Sequence, residues 1–265
     1  MRARPHYVRL FAIQLRTSVL LALQYRLDFF IEAVMSLFWT AAALIPLLAL
    51  YERRPTIAGW SRGEALVVVG FFTALKGVLE GAIQPALSAV VEHVRKGTLD
   101  FVLLKPVDAQ FLVSTSRLDA FKSVHVVAGL AVVGYALRTL GRAPSPLALL
   151  AASTLFAVGA LLLYSLHLLV VALAFKVVKV DNLSFLFASI YDAARWPSSV
   201  FRGALAIVFT FVVPLTVMTT FPALALLGRL PLRALAFAVA LGVAFAAISR
   251  VAFVRALAGY TSAGG

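Results

Sequence analysis

Between Leu147 and Phe175 the chain runs 29 residues without a single Asp, Glu, Lys or Arg. About 20 apolar residues in a helix are enough to cross a bilayer core of about 30 Å. The run is not isolated. Leu27–Leu50, Ala65–Val90, Val124–Leu140 and Leu232–Phe253 are comparable, and Gly203–Gly228 carries no charge at all. Backbone polar groups in hydrocarbon must be satisfied within the protein, which for runs of this length means helices. With 62% hydrophobic and 13% charged residues, the 265-residue chain has too little polar surface to cover a soluble core. The composition therefore predicts an all-α polytopic membrane protein with six transmembrane helices, built as one membrane domain over residues 1–265.

The formal net charge of +13 does not point to nucleic acid, because the bases are dispersed in segments between the apolar runs. Anionic headgroups and the bias of Lys and Arg toward cytoplasmic loops account for that distribution. The chain has no cysteine, which excludes disulfides and thiolate metal sites.

Residues 1–26 hold Arg2, Arg4, Arg9, Arg16 and Arg26 and no acid. Arg9 and Arg16 fall a heptad apart, while Val8, Phe11, Leu15 and Val19 supply an apolar surface. This pattern predicts an amphipathic helix lying on the cytoplasmic leaflet, with a simple orienting basic flank as the alternative. The apolar run from Leu27 and the basic region before it are both too long for a cleavable signal, despite an Ala-x-Ala match at Ala41–Ala43.

Residues 27–90 are read as spans one and two. Asp28 and Glu32 stand one turn apart at the cytoplasmic end of the first. Asp28 is expected in the headgroups and Glu32 against a neighbouring helix or water, since a charge facing lipid is costly. The loop 51–64 places Tyr51 and Trp60 at the outer interface. In the second span, Lys76 and Glu80 are four residues apart and so share a face, beside a G-x-x-x-G pair at Gly77 and Gly81. They are read either as charges that neutralise each other inside the bundle or as pathway residues.

The most charged internal stretch is Glu92 to Pro106, within a basic cytoplasmic loop over 91–122. Val91 and Val94 can pack on the membrane side while Glu92, His93, Arg95 and Lys96 face water. Gly97 reads as a helix stop and Pro106 as a second break. The apolar LDFVLL between them is expected to be tucked against a surface. Chemistry alone leaves a docking segment and an ordinary amphipathic loop both open.

Spans three and four follow within 123–175, joined by a Gly/Pro-rich outer loop, and KVVKVDN (176–182) returns the chain to the cytoplasm. His125 and His167 lack metal-site spacing and are expected to be core histidines. Over 183–228 one net crossing is required, because the last span (231–254) must leave Arg250 and Arg255 inside. Either 183–201 crosses and 203–228 is re-entrant from the outer face, or 183–201 lies on the inner surface and 203–228 crosses. The second arrangement moves Arg195 and Arg202 inside and fits the charge rule better. Asp192 and Arg195 interrupt the apolar pattern here and join Lys76 and Glu80 as candidate pathway or bundle charges. Ala238, Gly242 and Ala246 form a small-residue seam in the last span.

There is no G-x-x-x-x-G-K-[ST] loop, so ATP binding by that device is not expected on this chain, and no G-x-S-x-G, H-E-x-x-H or Cys/His cluster. No catalytic residue, metal ligand or cofactor is assigned. A mechanical role, in which helices repack when a partner changes state, fits better than catalysis. An ion-coupled carrier using Lys76, Glu80 and Asp192 is the alternative, although no internal repeat is visible.

GTLDFVLLKPV, through Gly97, Leu99, Asp100, Leu103 and Pro106, resembles a signature of ABC exporter permeases of type 2 (ABC-2). ARWPSSVF (Arg195, Pro197, Phe201) and FVVPLTVMTTFPALALLG (Pro214, Phe221, Pro222, Ala223) resemble two further ones. The chain looks most like the bacterial branch in which two permeases are commonly encoded beside one ATPase. That resemblance implies a translocation pathway formed by this chain and a second permease, identical or homologous. It also implies two copies of a partner ATPase that bind ATP and Mg. The cytoplasmic loop would couple the two, with Glu92, His93, Arg95, Lys96, Gly97, Leu99, Asp100 and Pro106 at or shaping the docking surface. The implied location is the bacterial inner membrane with both termini cytoplasmic, and the implied substrate is an amphiphilic or hydrophobic compound. The resemblance also favours the re-entrant reading of 203–228.

Overall fold

The computed structural model describes residues 7–24, 26–175, 187 and 189–260. Arg2, Arg4, His6, the side chain of Asp28 and the return segment 176–182 lie outside the described residues. The first helix, α1 (Tyr7–Gln24), is followed by α2 (Arg26–Arg53). A two-residue turn at Ala58 and Gly59, both at positive φ, closes a small hairpin of β1 (Thr56–Ile57) and β2 (Trp60–Ser61). Next come α3 (Arg62–Val78), a π-helical turn over Leu79–Ile83, and α4 (Gln84–Lys96). These three form one continuous 35-residue span, Arg62–Lys96. The second span therefore extends past Val90, and Glu92–Lys96 form its last turn rather than a separate short helix.

At the near end of the bundle lie α5 (Asp100–Leu103) and α6 (Ala109–Thr115). Then α7 (Ser123–Thr139) runs to the far end, and α8 (Pro146–Ala174) runs back. The last helix, Leu232–Ala258, starts at the far end and finishes near α6. Among the described residues five helices are long and apolar enough to cross a membrane, and a bent pair, Ala204–Val212 with Thr216–Leu226, makes a sixth candidate if counted as one span.

That bent pair is either a broken span or a re-entrant segment, and its neighbours bear on which. Phe187 packs edge-on to His167 in the near half of α8. Tyr191 then donates to the Phe72 carbonyl halfway along α3, and Ser199 meets the Trp60 indole N–H at the far end at 3.0 Å. The 187–199 segment thus climbs from the near half of the bundle to its far end. The two helices after it bend by 71° at Pro214, and the chain emerges again at the far end. There Arg142 donates to the Leu227 carbonyl and Arg229 pairs with Glu64 at 2.6 Å. Among the described residues both ends of 203–228 thus meet far-end residues, the arrangement expected of a re-entrant segment. The charge count pointed the other way because it gave Arg195 the weight of a free loop cation. In the fold its guanidinium is bound to Asp192 at 3.1 Å and lies over the Phe72 ring.

The tightest packing joins α3 to α7. A methyl group on Gly129 would come within 2.4 Å of the Ala74 backbone nitrogen, and one on Gly77 within 2.7 Å of the Val126 nitrogen. Small residues allow this approach where no hydrophobic difference between lipid and protein drives association. Gly242 of the last helix packs in the same way on Val158 of α8. By contrast α2 leaves Phe30, Val34, Phe38, Trp39 and Ile45 exposed. Tyr51 and Trp60, expected at the lipid interface, are instead buried. The Tyr51 hydroxyl donates to the Trp60 carbonyl, so both belong to the far-end packing.

Candidate functional site

The near end presents a surface built around the end of α4. Gly97, at φ 65°, ends the helix with its N–H on the Val94 carbonyl, and the Thr98 N–H bonds the His93 carbonyl at 2.9 Å. This two-bond stop needs a left-handed residue, which glycine adopts without strain. Glu92 and Lys96 pair across one turn at 2.6 Å and, with Arg95, are exposed. His93 departs from expectation. It is half-buried, and its Nδ1 lies 2.8 Å from the Thr98 hydroxyl, bracing the turn rather than facing water.

Beyond the stop, LDFVLL folds as α5 and divides into two faces. Leu99 is 1% exposed and Val102 packs on the core. Phe101 is 71% exposed and Leu104 80% exposed, and they stand three residues apart on the outward side, continued by Lys105 and Pro106. The segment is therefore only half tucked in. The polar residues Glu92–Lys96 form one edge of an apolar knob at Phe101 and Leu104. The sequence reading missed this knob because an apolar hexapeptide looks uniformly buried until its helical phase is known.

Deeper in, the charges expected to act as a pair prove to be part of a four-member chain. Lys76 lies 3.7 Å from Glu80, and Lys122 lies 3.7 Å from the other oxygen of Glu80 and also pairs with Glu32. Three segments meet here: α2 through Glu32, the π-helical turn through Glu80, and the start of the third span through Lys122. The local backbone explains the geometry. Pro85 has no N–H to offer the Gly81 carbonyl four residues before it. Asp119 supplies one instead, at 2.7 Å. With no side chain on Gly81, the Asp119 carbonyl and Lys122 Cβ come to 3.2 Å from where a Cβ would stand. A π-helical turn, often a mark of function, sits where the loop's exit is stitched to the second span. Glu32 was expected against a neighbouring helix or water, but its pairing with Lys122 escaped the sequence reading because the two belong to different spans and have no spacing rule in common. Asp192 and Arg195 pair with each other, and among the described residues no ion pair joins them to this network.

A second tie fixes the loop to the last helix. Arg250 forks onto Asp108 at 2.6 and 3.1 Å and onto Gln110 at 2.8 Å, while Tyr164 of α8 meets Gln110 and Ser114. The hydrogen bond from Arg250 holds the Asp108 carboxyl below the usual carboxylate range, outweighing the upward push of burial. At the far end Glu64 is buried and caps its own helix with Ser61 while bound to Arg229. His167 bonds the Leu163 carbonyl, and the His125 Nδ1 has no hydrogen-bond partner among the described residues. Among the described residues no group of His, Cys, Asp or Glu could hold a metal ion.

The profile of the family described as "ABC-2 family transporter protein" matches residues 37–264. The chain belongs to the ABC-2 transporter family. It is thus a membrane component of an ABC transporter and not the ATPase itself, as an ABC-2 permease with integral membrane helices. The match covers the charged joint at Lys76, Glu80 and Lys122, the surface around Phe101 and the re-entrant hairpin. Comparison with curated proteins and with solved structures returned no match. Family membership implies an ABC ATPase partner in general.

Proposed function

We propose that this ABC-2 permease is the transmembrane half of an ATP-driven exporter, coupled to a separate ATPase through its near-end surface. The pathway is formed with a second permease, identical or homologous, and two ATPase subunits bind ATP and Mg below it. The near end faces the cytoplasm, together with both termini, and the cargo is an amphiphilic or hydrophobic compound moved outward. The observation that carries this reading is the continuity from Phe101 and Leu104, through the Gly97 stop, into a 35-residue helix whose π-helical turn is ion-paired to two other segments. Force applied at the knob has a short, stiff route to the second span, and through Lys122 to the first and third.

The exposed apolar pair is the part of this surface best suited to anchor a partner, with Glu92, Arg95, Lys96 and Pro106 around it. Exposed apolar surface along α2 supports contact with lipid or with the second permease. The ion-coupled alternative loses support, because Asp192 is committed to Arg195 and is not linked to Glu80 by any ion pair among the described residues. The test is purification of the complex carrying Phe101→Glu with Leu104→Glu. The ATPase should be lost by tenfold or more from the purified complex while the permease still inserts in the membrane, an effect of about 1.4 kcal/mol or more. Full ATPase retention with normal substrate-stimulated hydrolysis would remove the docking assignment.

A further inference from the structure

Beneath α1 lies a cavity of about 650 Å³, within the size range of small-molecule sites. Its walls come from three places: the inner side of α1, the near-end part of α4, and residues 116–121 between α6 and the third span. A second cavity of about 320 Å³ shares Gln14 and Ser116 with it and reaches His93 and Lys105. The larger one is a half-open groove rather than an enclosed void. α1 turns Val8, Leu15, Leu20 and Leu23 outward, as a helix lying in a membrane interface does, so the cavity lies at headgroup depth.

The lining sorts by chemistry. Arg117 is exposed and makes no ion pair among the described residues, leaving its fork of donors available to an anion. Ser18 and Ser88, on facing walls, have no hydrogen-bond partner among the described residues. Glu92 on the α4 wall and Asp119 before the third span add negative charge, although Lys96 already engages Glu92 and the Phe121 N–H bonds Asp119. Ile13, Leu21 and Leu118 provide apolar surface. A polyanion would meet repulsion from Glu92. An acyl chain alone would leave Arg117 unused. A phosphate joined to a cation, carried on an apolar tail, uses every wall.

We infer that the cavity under α1 binds a zwitterionic glycerophospholipid from the surrounding leaflet. Its phosphate sits on Arg117, its ammonium on the Glu92 side, its glycerol oxygens on Ser18 and Ser88, and its chains leave past Leu21. The bound lipid fills the space between the amphipathic helix and the second span and holds α1 against the near end. Glu92 is shared with the proposed ATPase surface, but Arg117 and Ser88 are not, so variants at 117 and 88 read this site separately from the coupling assignment.

The test is native mass spectrometry of the full permease complex, extracted from nanodiscs holding equal phosphatidylethanolamine and phosphatidylglycerol. Wild type should retain phosphatidylethanolamine through delipidation in preference to phosphatidylglycerol. R117Q should lower that retention by about tenfold, the usual effect of losing a charge-assisted hydrogen bond. S88L, which fills the cavity and keeps Arg117, should also lower it while the complex remains assembled. Millimolar inorganic phosphate should not displace the lipid, since the apolar chains hold it in place. Equal retention by wild type, R117Q and S88L overturns the site. A preference for phosphatidylglycerol, or displacement by inorganic phosphate, overturns its zwitterionic lipid occupant.

Discussion

Lys122 holds two carboxylates, Glu32 and Glu80, that belong to different spans. Replacing it with alanine leaves both acids facing each other in a partly buried setting, which is worse than deleting the whole group. Lys122→Ala should therefore lower the melting temperature of the detergent-purified complex, by an amount corresponding to about 1–3 kcal/mol. Adding Glu32→Gln and Glu80→Gln should recover most of that loss. If the triple variant is no more stable than the single one, the three residues do not act as one unit. Gly129 shows a stricter constraint of another kind. Its missing methyl would strike the Ala74 backbone rather than a movable side chain, so even alanine there forces α3 and α7 apart.

At the level of elements, the Asp108–Arg250 tie joins the near-end connection to the last helix. Because the Asp108 carboxyl is depressed in the fold, its contribution is present above the ordinary Asp value of about 3.9 and disappears as pH falls through the lower folded value. Wild type and Asp108→Asn should differ in thermal stability at pH 7, with wild type the more stable, and the gap should narrow as pH falls below the ordinary Asp value. A gap that does not narrow in acid would show that the carboxylate charge is not what matters. The re-entrant hairpin makes a different prediction, and the cysteine-free chain makes it simple to check. Single-cysteine variants R202C and R233C should react with an impermeant maleimide from the same side of the membrane, and K105C from the other. Labelling of positions 202 and 233 from opposite sides would mean that 203–228 crosses.

How these elements could be read from sequence follows from the range of the forces involved. The spans were legible because hydrophobicity is a local sum, and the Gly97 stop because left-handed backbone favours glycine. The hairpin was ambiguous, since Arg195 counts as a loop cation until its place over Phe72 is known. The knob at Phe101 and Leu104 and the joint at Lys122 were not legible. One depends on helical phase within six apolar residues, the other on contacts between residues far apart in the chain.

In the molecule as a whole, the two ends are built differently. The far end is locked by Glu64 with Arg229, by Trp60 with Ser199 and by Arg142 with the Leu227 carbonyl, and these ties hold the hairpin in place. The near end carries the exposed knob, the cavity under α1 and the charged joint. On the proposed coupling, movement would enter at the near end and be limited at the hairpin by the far-end ties. The most direct measurement is photo-crosslinking in native membranes from a probe at position 104, compared with one at position 142. The account predicts a covalent adduct between the ATPase and the probe at 104, and none from 142. An ATPase adduct from 142, or none from 104 in a complex that still hydrolyses ATP in response to substrate, would contradict it.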